Sequence, residues 1–127
     1  MSNIIVGGYP SGGFYTQDDI RGYKVYTALL TQNGTNPPVA TVLENTLGFE
    51  PIWEYASQGN YDCVSSNQWT QDKTIVFITQ SDENASGITG AYLWNANSIV
   101  RIYTRDFDGV GLNGVLAKTS IQIRIYP

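Results

Sequence analysis

Apolar and polar residues alternate in short runs along most of this chain, and turn-forming residues separate the runs. Residues 118–126, KTSIQIRIY, show the pattern most cleanly. Ile121, Ile123 and Ile125 lie on one side and Ser120, Gln122, Arg124 and Tyr126 on the other, the period-two signature of a half-buried strand. Residues 98–107, SIVRIYTRDF, separate into Val100, Ile102 and Thr104 against Ile99, Arg101, Tyr103 and Arg105. Residues 23–32, YKVYTALLTQ, are rich in aromatic and β-branched side chains. There Tyr23, Val25, Thr27 and Leu29 oppose Lys24, Tyr26, Ala28 and Leu30, so both faces are expected to be at least partly covered. Asn33-Gly34 follows as a hairpin signal of the type I′ kind, whose two central residues need positive φ. Pro37 and Pro38 lengthen that loop, because proline cannot pair within a central strand. Strands resume at 39–44 (VATVLE) and 52–57 (IWEYAS), and Gly59-Asn60 turns the latter back into 61–65 (YDCVS). Residues 73–80, KTIVFITQ, are the most apolar run and are expected as a central strand. Residues 87–94, GITGAYLW, give a weaker strand interrupted at Gly90.

No window of a dozen residues carries an apolar stripe at helical spacing. Seven or eight short strands separated by turns predict an all-β fold, an antiparallel β-sandwich or jelly roll, over residues 23–127. Residues 1–22 differ. Five glycines and a proline interrupt every periodicity there, so the segment reads as an extended N-terminal arm. Its apolar spots, Ile4, Ile5, Val6, Phe14 and Tyr15, are too sparse for a separate core. They suit either an unattached terminus or an arm docked on a neighbouring subunit or larger assembly. Ile4-Ile5-Val6 followed by glycines would suit strand addition to an exposed sheet edge.

Composition then narrows function, mostly by exclusion. A chain of 127 residues fits one domain. Histidine is absent, which removes the commonest metal ligand and any Ser-His-Asp or Cys-His site within one chain. A lone Cys63 excludes an intrachain disulfide and a structural zinc cluster. Charged residues make up 14% of the chain, against about a quarter in ordinary domains. Tyr, Asn, Thr, Ser, Gln and Gly take their place, giving a polar but uncharged surface suited to sugars, protein contacts and tight oligomers. The net charge of −4, with no basic cluster, works against nucleic-acid phosphates and anionic membranes. The opening MSNIIVGGYPSGG lacks the positive start and apolar core of a signal peptide. No run approaches the ~20 apolar residues of a membrane span. A soluble protein made in a cytoplasm is therefore expected.

Few residues suggest chemistry. Asp106-Phe107-Asp108-Gly109 begins like a calcium loop, but the continuation VGLNG lacks the bidentate glutamate, so these residues read as turn formers. Asp18-Asp19 and Asp82-Glu83 are chain neighbours, which point to opposite faces of a strand. Glu44, Glu50, Glu54, Asp62 and Asp108 are available for glycoside hydrolysis, yet nothing singles out an acid/base pair. No catalytic residue, cofactor or metal is therefore expected. Three tryptophans and nine tyrosines invite a lectin reading, although small β-domains also use tryptophan as a core or interface anchor. Trp53, within IWEY, reads as core. Trp69, in the polar segment SSNQWTQDK, reads as exposed. Trp69 and Trp94 are the candidate contacts for a glycan or partner. Asn33-Gly34-Thr35 and Asn84-Ala85-Ser86 fit the glycosylation triplet, a chance match without a secretion signal.

The segment YKVYTALLTQNGTNPPVATVLENTLG, followed closely by IWEYASQGNYD, resembles a module of bacteriophage genomes and phage-derived bacterial reading frames. That module has a KVY-ALLTQ-GT--PVATVLENTLG core, then W-Y or W-R, then a G-Y pair. Lys24-Val25-Tyr26, Ala28 through Gln32, Gly34-Thr35, Pro38 through Gly48, Trp53, Tyr55, Gly59 and Tyr61 fill those places. The resemblance covers residues 23–61. It implies a virion component, such as a fibre, spike or capsid-attached protein, made in the host cytoplasm and carried in the particle. Such a protein would act by oligomerisation and attachment rather than catalysis, with a homotrimer favoured by analogy to fibres and spikes. Other virion proteins would be met through the N-terminal arm, with a host-surface glycan as the alternative partner. The resemblance transfers no active site. It casts Gly48 as a strand end, Asn33-Gly34 as a turn, and Val39, Val42 and Leu43 as packing residues.

Overall fold

The alternation read in the sequence folds into two stacked sheets. The computed structural model describes residues 21–80, 87–95 and 97–127, and of residues 1–20 only the backbone of two short segments. Those segments, β1 (Asn3–Ile4) and β2 (Tyr15–Thr16), pair antiparallel with each other. The other strands are β3 (Lys24–Thr31), β4 (Val39–Asn45), β5 (Ile52–Ser57), β6 (Asn60–Val64), β7 (Thr74–Ile78), β8 (Gly87–Asn95), β9 (Ile99–Asp106) and β10 (Thr119–Ile125). These eight form two four-stranded antiparallel sheets, in the orders β4-β3-β10-β7 and β5-β6-β9-β8. The successive pairs β3-β4, β5-β6 and β8-β9 stay hydrogen-bonded within one sheet. That makes the architecture a β-sandwich rather than a roll whose successive strands alternate between sheets.

Each sheet turns its apolar row inward. Tyr26, Ala28 and Leu30 of β3 and Ile121 and Ile123 of β10 meet Tyr61 and Cys63 of β6 and Val100 and Ile102 of β9, all buried. Leu47, Trp69 and Leu116 join this core from the connecting segments. Each buried aliphatic or aromatic side chain contributes roughly 1.5–3 kcal/mol through its removal from water. Val25, on the outer side of β3, is also covered, as the two-sided composition of that strand implied.

Four local expectations are corrected. Residues 74–78, expected centrally, form an edge strand beside β10. Val76 and Ile78 pack on the core, while Ile75 and Phe77 point outward and remain exposed. An apolar run thus combined an inward row with an outward one, and Arg124 lies over the Phe77 ring with its carbon 4.8 Å from the centroid. The strand over Gly90 is unbroken, for a reason given below. Val39, Val42 and Leu43 do not join the buried core among the described residues. They lie on β4, the opposite edge of the same sheet, and are exposed by 69%, 40% and 61%.

The fourth correction concerns the first hairpin. Its turn runs from Asn33 to Asn36, closed by a 3.0 Å bond from the Asn36 N–H to the Asn33 carbonyl. Gly34 takes φ +56°, while Asn33 and Thr35 do not have positive φ. Only the first central position therefore needs glycine, which is the II′ pattern rather than I′. Gln32 organises the loop from below. Buried in the sandwich, its amide nitrogen donates to the carbonyls of Gly34 (2.8 Å) and Asn36 (3.0 Å).

Three of the four edge strands carry a β-bulge. Successive pairs skip Leu43 on β4, Ala56 on β5 and Trp94 on β8. A bulge bends the strand and interrupts its ladder of backbone groups.

On β8, Thr89 faces inward opposite Thr104, and its buried hydroxyl has no hydrogen-bond partner among the described residues. Valine has nearly the same shape without the oxygen. Thr89→Val is expected to raise stability by about 1 kcal/mol, read as a higher urea midpoint at unchanged slope. A lower midpoint would mean that the hydroxyl is bonded in solution.

Candidate binding face

The outer face of the second sheet gathers most of the charged and aromatic side chains that alternation turns away from the core. On β9 these are Arg101, Tyr103 and Arg105, which with Ile99 form the set opposed to Val100, Ile102 and Thr104. Asp62 of β6 stands directly across from Arg101, with Glu54 of β5 beyond it. On the other side of β9, Tyr92 pairs with Arg101 and Gly90 with Tyr103.

Asp62 and Arg101 form a two-pronged ion pair, Nε to Oδ1 at 2.7 Å and Nη2 to Oδ2 at 3.0 Å. Asp62 is only 6% exposed. A fork-to-fork pair of this kind fixes the guanidinium plane. The Asp62 hydrogen bonds push the Arg101 pKa further above its ordinary value, so it stays charged. Its carbon sits 4.0 Å from the centre of the Trp94 ring, within cation–π range. The bulge that skips Trp94 keeps this indole on the outer side, 48% exposed.

Tyr103 explains the missing side chain at Gly90. Its ring lies across β8, occupying the space where a Cβ at Gly90 would stand. The strand therefore continues through a glycine covered by a cross-strand aromatic. Tyr92 packs beside Tyr103 with centroids 5.9 Å apart and rings inclined by 52°. Arg105 approaches the same ring at 5.3 Å, while its two terminal nitrogens donate to the Gly59 carbonyl (2.8 Å) and Asn60 Oδ1 (2.6 Å). Three aromatic rings are thus interleaved with two arginines whose hydrogen bonds hold them in place. Rigid rings with exposed faces can stack on a flat ligand, and the surrounding amides and carboxylates can bond its hydroxyls.

Of the two tryptophans expected at a contact surface, only Trp94 is exposed. Trp69 is fully buried. Its indole N–H donates to the Cys63 carbonyl at 3.0 Å, and its ring meets Phe49 edge-on at 5.3 Å. The residues on either side of it, from Ser66 to Gln68 and from Thr70 to Lys73, are exposed, so the indole alone turns inward while nearby polar groups hold the backbone of the segment. Ser65 Oγ accepts from the N–H groups of Gln68 and Trp69, and Asn97 Oδ1 accepts from that of Gln71. Trp53 packs against the core as expected and donates to Tyr26 Oη at 3.2 Å. The side chains of Ile4, Ile5, Val6, Phe14 and Tyr15 lie outside the described residues, as do Asp18, Asp19 and residues 81–86.

Other candidates are absorbed by structure. Asp106 Oδ1 accepts from the N–H groups of Asp108 and Val110, both at 2.9 Å, and so shapes its own turn. Among the described residues no three His, Cys, Asp or Glu side chains converge as a metal site. Burial pushes the Cys63 thiol pKa well up, which keeps it unreactive. A groove of about 480 Å³ opens elsewhere, between Tyr23, Phe49, Gln68, Tyr126 and Pro127. Among the described residues that line it, Lys24 carries the charged side chain.

Sequence reasoning had grouped Arg101, Tyr103 and Arg105 on one side of a strand, but it had not singled them out. Asp62 and Tyr92 join them only through strand register. Comparison with protein-family models, curated proteins and solved structures yields no match for this chain.

Proposed function

We propose that this protein is a structural component of a bacteriophage particle, a fibre, spike or capsid-attached domain that works by self-association and attachment, without catalysis. The observation that carries this reading is the exposure of three apolar residues on edge strand β4, Val39 on the outer face, Val42 at the rim of the inner face and Leu43 at the bulge. These are residues that the phage-module resemblance casts as packing residues, and a second subunit would supply the packing they lack within one chain. The low charge of the chain limits repulsion between copies. A homotrimer follows from analogy with fibres and spikes, and the N-terminal arm is the part assigned to other virion proteins.

Sedimentation of the purified protein tests the reading. A multimer is expected, and Leu43→Glu should raise its dissociation constant by about tenfold or more, equivalent to ~1.4 kcal/mol. Leu43 is exposed within one chain, so the variant should keep its β-rich spectrum. A wild-type chain that sediments as a monomer overturns the reading.

A second reading, attachment to a host-surface glycan, is favoured by one observation. Trp94 and Tyr92 stand 48% and 43% exposed on the outer face of the second sheet, where a buried tryptophan such as Trp69 could take no part.

A further inference from the structure

The geometry points to a glycan-binding site on the outer face of β8 and β9, and to an uncharged polysaccharide as its ligand; this rests on the second reading above. Trp94, Tyr92 and Tyr103 supply the stacking surface. Tyr103 is held across the strand by the absence of a side chain at Gly90, and Trp94 is held by Arg101, itself fixed by Asp62. Aromatic rings that are ordered before binding lose little conformational freedom on contact.

Charge selects the ligand class. The ionised groups of this face are Glu54, Asp62, Arg101 and Arg105, whose charges cancel. Arg101 spends its fork on Asp62, and Arg105 spends its terminal nitrogens on Gly59 and Asn60. The guanidinium fork that would grip a uronate or sulfate is thus already engaged. Glu54 is exposed, and the chain carries a net −4, so acidic polymers meet repulsion while a neutral polymer does not. Neutral rings can lay their apolar C–H faces on Tyr92 and Trp94 and direct their hydroxyls to Glu54 and Asn60.

Affinity electrophoresis of the whole chain through gels containing soluble neutral glucan, mannan or galactan, and separately through alginate or heparin, tests this. Retardation is expected in at least one neutral polymer and in neither acidic one. Trp94→Ala should weaken that retardation by about tenfold or more, as loss of a central aromatic anchor does. Trp94→Phe should restore part of it, and Gly90→Ala, which displaces the Tyr103 ring, should weaken it as well. Because Trp94 is half exposed, its variants should keep the wild-type thermal midpoint. Retardation that survives Trp94→Ala unchanged would overturn the site while leaving the glycan reading standing. Retardation by the acidic polymers alone would overturn the ligand class. If no polymer retards the protein and the face is instead covered by a second copy or a protein partner, the inference and the glycan reading fall together.

Discussion

Trp69→Ala is expected to lower the free energy of unfolding by about 3–5 kcal/mol, the range for truncating a fully buried large aromatic residue. Trp69 belongs to the segment that carries the chain from β6 in one sheet to β7 in the other. Its indole is fully buried, its ring packs on Phe49, and its N–H satisfies the Cys63 carbonyl. Truncation therefore opens a cavity and also leaves a carbonyl without its donor. Since domains of this kind are stable by only about 5–15 kcal/mol, the loss should be visible as a large fall in the urea midpoint. Trp69→Phe separates the two effects. It refills most of the volume but not the hydrogen bond, and should cost about 1–3 kcal/mol. A loss below about 1 kcal/mol in the alanine variant would mean that the indole is not held in the core.

Gln32→Leu is the second large effect, expected at about 1–3 kcal/mol, because the buried amide is lost from a network whose loop partners at Gly34, Asn36 and Gly114 can still reach solvent. Both ends of the Gln32 amide are fully used. Nε2 donates to Gly34 and Asn36, while Oε1 accepts from the Tyr61 hydroxyl (2.9 Å) and the Gly114 N–H (2.8 Å). One side chain therefore ties the first hairpin loop to the second sheet and to the segment before β10. Tyr61 has other acceptors near, the Leu112 carbonyl and Asn113 Oδ1, each at 3.2 Å, so its hydroxyl can turn. The Gly114 N–H and the two loop carbonyls cannot follow as easily. Leucine matches the volume, so the loss would be polar in origin. Denaturant titration gives the size, and hydrogen exchange at Asn36 and Gly114 should quicken selectively. A change within about 0.5 kcal/mol would show that water replaces the amide at little cost.

The strands were legible because half-buried β-structure writes itself as a period of two. Residues 98–107 and 118–126 separated into inner and outer sets by side-chain character alone, and the structure keeps those sets. Strand position within a sheet was less legible. The run at 74–78 is apolar on both sides although only one is buried, and neighbouring sequence does not reveal which strand pairs with it. Trp69 failed as a surface candidate because its neighbours from Ser66 to Gln68 and from Thr70 to Lys73 are solvent-facing, as they looked, while the indole alone turns into the core, and loop sequence does not record the direction of a single side chain. Trp94 stood out by its type. The Asp62–Arg101 pair did not, since the partners are 39 residues apart and meet only after the β6–β9 register is set. Gln32 read as the polar end of a strand, and its role depends on its own loop and on groups brought in from two distant segments, at Tyr61 and Gly114.

The interrupted margins of the sandwich bear on how its copies can gather. At Leu43, Ala56 and Trp94 the backbone is kinked out of line, so a straight intruding chain finds no continuous track along β4, β5 or β8, and the regular β7 is the margin left to it. Along the other three, neighbours must instead recognise one another by fitting side chain to side chain, a contact that is used up once its surface is covered. Joining through backbone ladders is thereby confined to β7, where Ile75 and Phe77 stand exposed.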